Sequence, residues 1–154
     1  MIQRKQTVFI VLALISTLVC LSLPIGSLVP ADRSGVALAN DDLVYNLCII
    51  SGVDGAWNFK TAPLFFVLLL TCPIGTYAIF KYNNRRAQAR LCLFNVLLTI
   101  GWYIVFFVFT QLLNGRFDIA PTVALPLGVI ILYLLAKKGI ADDEKLIRSA
   151  DRIR

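Results

Sequence analysis

Long uncharged apolar runs alternate with short polar segments along the chain. Crossing a hydrocarbon core about 30 Å thick takes roughly 20 helical residues, and runs of that length can be read directly from the sequence. Apolar and polar residues do not alternate within the runs, so the pattern predicts membrane helices and not barrel strands. The expected fold is an all-α membrane protein, a single domain with four transmembrane helices in an antiparallel bundle. The predicted spans are 8–29, 62–80, 91–113 and 119–136.

The polar segments between the runs predict how the helices are connected. The second and third connections, "KYNNRRAQAR" and "NGRFD", are so short that they predict tight turns between antiparallel neighbours. The first connection, 30–61, is long enough for an external structure of its own. Within it, the β-branched and aromatic stretch 43–50 is followed by the turn-like "SGVDG", which predicts one or two short strands.

Lysine and arginine are divided unevenly between the two sides of such a bundle. If the N-terminus is cytoplasmic, twelve of the 15 basic residues lie on that side. The positive-inside rule then predicts a multi-pass protein of the bacterial inner membrane with both termini cytoplasmic. The same charges attract anionic lipid headgroups at ~1 kcal/mol each near the surface. The residues expected to set topology or contact headgroups are Arg4, Lys5, Lys81, Arg85, Arg86, Arg90, Lys137 and Lys138.

The basic start of the chain, "MIQRKQT", has two interpretations. A cleavable export signal has an apolar stretch of about 7–15 residues with a small-residue cleavage site soon after it. Here the apolar run is longer, and the convenient "ALA" at 37–39 lies well beyond it. The first run is therefore predicted to be retained as a span.

Three of the four runs contain proline, an aliphatic residue and then glycine. Proline removes a backbone donor and clashes with the preceding turn, and glycine allows close approach of helices. The bends that result are either ordinary packing features or the lining of a cavity open to the outside. Kinks and packing contacts are predicted at Pro24 and Gly26, at Pro73 and Gly75, and at Pro126 and Gly128.

The composition offers little material for catalysis. The chain has no histidine, nine acidic residues and four cysteines without a paired spacing. No metal site, cofactor site or catalytic residue is therefore predicted, and an enzyme is not expected. No Gly-rich phosphate loop accompanies the basic residues, so no nucleic-acid partner is expected either. The polar Asn95 and the deeply placed Trp102 are expected to face other helices and not lipid.

The tail, 137–154, is predicted to be cytoplasmic and to contain a short amphipathic helix. Asp142 can cap a helix whose first turn is acidic and whose end is basic. Such a helix either lies on the inner membrane surface or docks on a membrane-protein partner or a second copy of the chain. The residues expected to make a partner contact are Gln3, Gln6, Leu146, Arg148, Arg152 and Ile153.

The two ends of the chain, "MIQRKQT" at 1–7 and "DEKLIRSADRIR" at 143–154, bracket the four runs and the long first connection. This arrangement resembles the Bacteroidetes membrane-protein family catalogued as domain of unknown function 4293, over the whole chain. The resemblance implies a small inner-membrane protein of a Gram-negative bacterium. It implies no established activity and no catalytic residues to carry over.

Two functional hypotheses remain open. The first is a non-enzymatic accessory or structural component of a membrane complex, indicated by uncharged spans with short charged ends. The second is a small carrier or lipid-handling protein that uses the Pro-Gly bends as an outward cavity. A partner bound at the cytoplasmic ends would favour the first, and loss of transport on substitution of Pro73 or Gly75 would favour the second.

Overall fold

The computed structural model describes residues 5–30, 41–81, 84–113 and 115–151, with side chains for 6–29, 41–81, 84–113 and 115–143. Within these ranges the chain is mostly helical and also contains a small antiparallel sheet, so the prediction of an all-α fold is wrong in this respect. The helices are α1 (Lys5–Ser22), α2 (Ala62–Phe80), α3 (Arg85–Leu112) and α4 (Leu125–Asp151). The strands are β1 (Gly26–Pro30), β2 (Asp42–Val44), β3 (Ile49–Ile50), β4 (Trp57–Asn58) and β5 (Gly115–Ile119).

The four helices pack side by side and run in alternating directions. α1 packs mainly against α4, and α3 packs against both α2 and α4. Two apolar clusters fill the bundle. The first surrounds Trp102 and includes the end of α1 and the start of α2, and it lies against the sheet, at what we term the sheet end. The second surrounds Tyr133 and includes the starts of α1 and α3, at what we term the basic end.

Within the described part of the chain, three helical segments are long and apolar enough to cross a membrane: Phe59–Phe80, Arg85–Leu112 and Pro121–Asp143. α2 coincides with the predicted run 62–80, and α3 begins six residues before the run predicted at 91–113. α1 is shorter, since its 18 residues extend over roughly 27 Å.

The first apolar run does not stay helical to Val29, as predicted. The last amide of α1 that finds its helical acceptor is that of Leu23, which donates to the Val19 carbonyl at 3.1 Å. Pro24 has no amide hydrogen for the Cys20 carbonyl, and its ring clashes with that turn, so the helix stops. The predicted kink at Pro24 and Gly26 is therefore wrong. Pro24 lies between α1 and β1, and Gly26 begins a strand.

The fourth run is also helical over less of its length than predicted. Ile119 ends β5, and a 3-10 turn at Pro121–Ala124 leads into α4. Pro126 is the second residue of α4, in the first turn, where helices tolerate proline because the missing amide has no helical acceptor. The predicted kink at Pro126 and Gly128 is therefore wrong. Among the described residues, Pro73 alone lies in a helix interior.

The sheet has the strand order β4-β3-β2-β1-β5, and every neighbouring pair is antiparallel. The prediction of short strands within 43–50 is confirmed by β2 and β3. The prediction of a tight turn at "NGRFD" is wrong, because this segment supplies β5. β1 is paired along both edges, with β2 on one side and β5 on the other. Gly26 lies opposite Val44 of β2 and opposite Ile119 of β5.

α4 continues without a break from Leu125 to Asp151. The segment that follows Ala136 contains one glycine and no proline up to Asp151, so nothing interrupts the helical hydrogen bonds. Asp142 lies inside α4, and the prediction that it caps a separate short helix is wrong. The tail, as far as it is described, is an extension of the last helix.

Gly26 occupies the point where the sheet meets the bundle. A Cβ atom at this position would lie 2.5 Å from Cζ of the Phe117 ring and 2.7 Å from the Asp118 carbonyl oxygen. The Phe117 ring packs against Phe106 with ring centroids 6.0 Å apart. The carbonyl belongs to the paired strand β5. Neither neighbour can move freely, so packing requires glycine here.

Replacing Gly26 with Ala should lower the free energy of unfolding by about 1–3 kcal/mol, the usual cost of overpacking a filled core. Denaturant unfolding of the purified protein in detergent micelles, followed by circular dichroism, measures this. Gly101→Ala in α3 is the control, because a Cβ there meets nothing within 4 Å. Equal stability of the two variants would contradict the close contact.

Candidate functional site

Three groups of polar side chains stand out in an otherwise apolar molecule. The first, termed the sheet junction, contains Asn46, Trp102 and their partners between the sheet and the bundle. The second, termed the bundle crossing, contains Asn95, Gly75 and Tyr133. The third comprises the charged residues of the basic end. The part of the chain that the structure describes contains no group of three or more His, Cys, Asp or Glu side chains that could hold a metal ion.

Asn46 connects the sheet to the bundle. It lies in the turn between β2 and β3, and its side chain is completely buried. Its Nδ2 donates to the Cys20 carbonyl at 2.8 Å, and its Oδ1 accepts from Nε1 of Trp102 at 3.1 Å. The Cys20 carbonyl is the one that Pro24 leaves without a helical donor. Asn46 therefore completes the hydrogen bonding at the end of α1 and fixes the indole of α3 at the same time.

The start of α4 is attached to the same place. The Thr122 hydroxyl donates to the Pro24 carbonyl, which lies between α1 and β1. The Tyr103 hydroxyl of α3 donates to the Val123 carbonyl at 2.7 Å. The sheet junction thus joins α1, α3, α4 and the β2–β3 turn. Its chemistry is that of structural attachment, since the bonded groups are hydroxyls, an amide, an indole and backbone carbonyls.

Asn95 of α3 contacts the backbone of α2 within the bundle. With its amide oriented to satisfy both atoms, Nδ2 donates to the Thr71 carbonyl at 3.1 Å and Oδ1 accepts from the Gly75 amide at 3.2 Å. These two backbone groups flank Pro73. The carbonyl that Pro73 leaves without a helical donor is that of Leu69, so the Asn95 contact attaches α3 to the α2 backbone beside the proline and does not replace the lost bond. Asn95 and Trp102 are both fully buried, which confirms that they face other helices.

At Gly75 of α2, side chains from two other helices come close to the backbone. A Cβ atom on this residue of α2 would lie 2.5 Å from Oη of Tyr133 in α4 and 2.8 Å from Cδ2 of Leu14 in α1. The Tyr133 side chain is fully buried, and its hydroxyl has no hydrogen-bond partner among the described residues. The hydroxyl therefore packs against the bare backbone of Gly75. A buried polar group in this state costs about 1–3 kcal/mol.

The residues predicted to set topology gather at the basic end. Arg85 begins α3, and the Lys81 ammonium lies 5.4 Å from the centre of the Tyr77 ring near the end of α2. Nη1 of Arg85 is buried without a partner among the described residues. Arg86, Arg90, Lys137 and Lys138 lie at the same end of α3 and α4. Arg4 lies outside the described residues, and only the backbone of Lys5 is described.

Gln6 joins the start of α1 to the extension of α4. Its side chain is buried and packs over Gly139, and its Nε2 donates to Oδ2 of Asp143. This contact lies within the chain. Of the other residues predicted to meet a partner, Leu146 and Arg148 are described only as helical backbone. Gln3, Arg152 and Ile153 lie outside the described residues.

Asn46, Thr122 and Tyr133 were not predicted to have these roles. The partners of Asn46 are 26 and 56 residues away, and the Thr122 partner is 98 residues away. A pattern read within a short stretch of sequence cannot identify partners at such separations. The one local signal was Pro24, because a proline that leaves a carbonyl without a donor near a polar loop implies that a side chain must supply one.

An apolar helix bundle with a small sheet at one end and clustered basic residues at the other has the architecture of a small helical membrane protein. The family comparison agrees with the resemblance seen in the chain ends. The chain belongs to the family described as Domain of unknown function (DUF4293), whose model matches residues 2–153. A comparison with curated proteins found no match.

Replacing Asn46 with Ala should lower the free energy of unfolding by about 2–6 kcal/mol, because two buried groups lose their partner at ~1–3 kcal/mol each. A double-mutant cycle with Trp102→Phe isolates the amide–indole bond, and we expect a coupling of ~1 kcal/mol. The matched cycle with Trp57→Phe, an exposed tryptophan of β4, should show no coupling. Equal coupling in the two cycles would contradict the sheet junction.

Replacing Gly75 with Ala should destabilise the protein by about 1–3 kcal/mol, because the new methyl group meets Tyr133 and Leu14. Tyr133→Phe removes the hydroxyl from this contact, so it should restore part of the loss in the double variant. By itself Tyr133→Phe should leave stability unchanged or raise it, since the hydroxyl has no partner. Thermal unfolding in detergent measures all three, with Gly128→Ala, whose Cβ meets nothing within 4 Å, as the control. A strongly destabilising Tyr133→Phe would show that the hydroxyl is bonded.

Proposed function

We propose that this chain is a non-enzymatic accessory or structural component of a membrane complex in the bacterial inner membrane. In this proposal it crosses the bilayer four times, with both termini and the basic end in the cytoplasm and the sheet outside. The threading is supported by the distribution of charge, since twelve of the 15 lysines and arginines then lie inside, as the positive-inside rule requires.

The exposed surface of α1 supports a fourth span. Its large apolar side chains face outward at helical spacing, with exposed fractions of 53% at Val8, 44% at Leu12 and 52% at Ile15. A helix of this kind in water would leave a long apolar stripe uncovered. Its length of roughly 27 Å is close to the hydrocarbon thickness, and a bilayer adapts to a short helix by local thinning at modest cost.

The continuous α4 is the observation that carries the proposal. Its 27 residues extend over about 40 Å, and its uncharged part ends at Ala136, so residues 137–151, about 22 Å of helix, carry the charges. In this proposal the last turns project from the membrane as a charged helix, which we term the α4 arm (residues 138–151). Gln6 holds the arm to α1 through Asp143. A fixed helix that projects into the cytoplasm offers a surface for another protein.

The carrier hypothesis has lost most of its support. It requires bends that open a cavity toward the outside, but Pro24 and Pro126 lie outside helix interiors. At the remaining bend, near Pro73, the side chains of Leu14 and Tyr133 fill the space next to Gly75. We therefore retain the complex component as the single proposal.

A photoreactive amino acid in place of Ala141, an exposed residue of the α4 arm, should form a crosslink to another protein in intact cells. The same substitution at Ile131, which is exposed on the apolar part of α4, should give no protein adduct because lipid covers it. Immunoblotting and mass spectrometry of the purified adducts read out both positions. Absence of a protein adduct at Ala141 would contradict the proposal.

The threading is checked in the same cells with single cysteines at Ala141 and Asp54 in a cysteine-free background. A membrane-impermeant maleimide should label Asp54→Cys in intact spheroplasts and Ala141→Cys only after permeabilisation. The reverse pattern would invert the topology and place the α4 arm outside.

A further inference from the structure

β5 is an edge strand of the sheet. It pairs with β1 along its whole length, from Gly26 opposite Ile119 to Pro30 opposite Gly115, and no described strand lies on its other side. An edge strand presents a row of amide and carbonyl groups that can pair with another strand. The open edge of β5 is therefore a template for one further strand.

The backbone groups on the open edge can be assigned from the end of the strand. The Ala120 amide, in extended backbone, donates to the Ile25 carbonyl at 3.0 Å, on the β1 side. Successive amides along a strand point in opposite directions. The amides and carbonyls of Ile119, Phe117 and Gly115 therefore point toward the open edge, with Phe117 in the middle.

The charges of β5 are complementary to those of a second β5 in the antiparallel direction. Pairing about a two-fold axis at Phe117 places Arg116 opposite Asp118 of the second copy, and Asp118 opposite Arg116 of the second copy. Both side chains are exposed, 81% and 53%, and Nε of Arg116 lies 3.3 Å from Oδ1 of Asp118 in the same strand. A shift by two residues in either direction would instead oppose two arginines or two aspartates, so the charges select one register.

The other face of β5 fits the same arrangement. Phe117 packs toward the bundle against Phe106, so Gly115 and Ile119 face the bundle side as well, because side chains alternate along a strand. Ile119 is 63% exposed. In the two-fold pairing Ile119 lies opposite Gly115 of the second copy. Gly115 has no side chain, so there is room for the Ile119 side chain to pack against the second strand.

We propose that β5 pairs with β5 of a second copy about a two-fold axis at Phe117, which joins the two sheets into one continuous antiparallel sheet outside the membrane. The occupant of the open edge is thus another molecule of the same chain. An interface of this kind is isologous and closes as a dimer. The inference rests on the proposed function in two respects: the sheet lies outside the membrane, and the second copy of the chain is one member of the proposed complex.

Two charge variants test the pairing. Arg116→Asp gives a strand with two aspartates, and Asp118→Arg gives a strand with two arginines. Each variant alone opposes like charges at both cross-strand positions, so its dimer should dissociate roughly tenfold or more readily than that of the wild type. A mixture of the two variants opposes unlike charges at both positions and should form heterodimers. Native mass spectrometry from lipid nanodiscs, with one variant tagged, measures all of these species.

Further variants separate the pairing from the ion pair within the strand. The double variant R116D/D118R restores both the in-strand pair and the cross-strand pairs, and it should dimerise like the wild type. The mixture of single variants restores the cross-strand pairs alone, so heterodimers cannot arise from repair within a strand. Asp54→Arg, at an exposed position between β3 and β4, is the control for charge reversal on the sheet and should leave the dimer unchanged.

The outcomes that overturn the inference are distinct from those that overturn the proposed function. A monomeric wild type, or single variants that dimerise as well as the wild type, would exclude β5 pairing while a protein adduct at Ala141 still supports a complex. Heterodimers in the mixture without an adduct at Ala141 would support β5 pairing and contradict the docking role of the α4 arm.

Discussion

The hydrogen bond from Asn46 to the Cys20 carbonyl is the constraint on which the rest of the structure depends. Pro24 ends α1 and leaves this carbonyl without a donor at the top of an apolar bundle, where an unpaired carbonyl is costly. The donor comes from the β2–β3 turn, so the sheet is held directly over the helix end. The same side chain accepts from Trp102 and positions the aromatic cluster of α3. One proline thereby determines where a helix stops, where a sheet sits and which face of α3 is buried.

The parts of the fold that follow from the preference of apolar side chains for a membrane or a core could be predicted from the sequence. The parts that follow from backbone pairing between distant strands could not. The run at 62–80 coincides with α2 because nothing in it offers the backbone an alternative to the helix. The segment 26–29 is uncharged and continues the same run, but there the backbone pairs on two sides, with β2 and β5. Hydropathy does not register such a pairing, because it depends on a strand that comes after three helices in the chain. For the same reason "NGRFD" was predicted to be a turn, although four of its residues belong to β5.

The candidate site shows a similar division. Asn95 and Trp102 could be assigned to helix contacts because a polar or indole group at that depth needs a protein partner. Their partners could not be identified, since Asn95 bonds to backbone groups of Thr71 and Gly75, which any sequence would present. Gly75 was recognised as a packing residue, but the Tyr133 hydroxyl beside it was not. Its position depends on how α4 is placed in the bundle relative to α2, which no local pattern encodes.

The position of β1 in the sheet has a consequence for the order of events during synthesis. β1 and β2 leave the ribosome before α2, whereas β5 and Thr122, which bonds to Pro24 from 98 residues beyond it, follow only after α2 and α3. The edge of β1 that pairs with β5 therefore stays open while α2 and α3 are made. In the proposed topology, β1 acquires its second neighbour only after α2 and α3 have both crossed the membrane. Closure of the sheet would then require that both helices are in place, because a chain with an incomplete or inverted α3 would leave the β5 edge of β1 open.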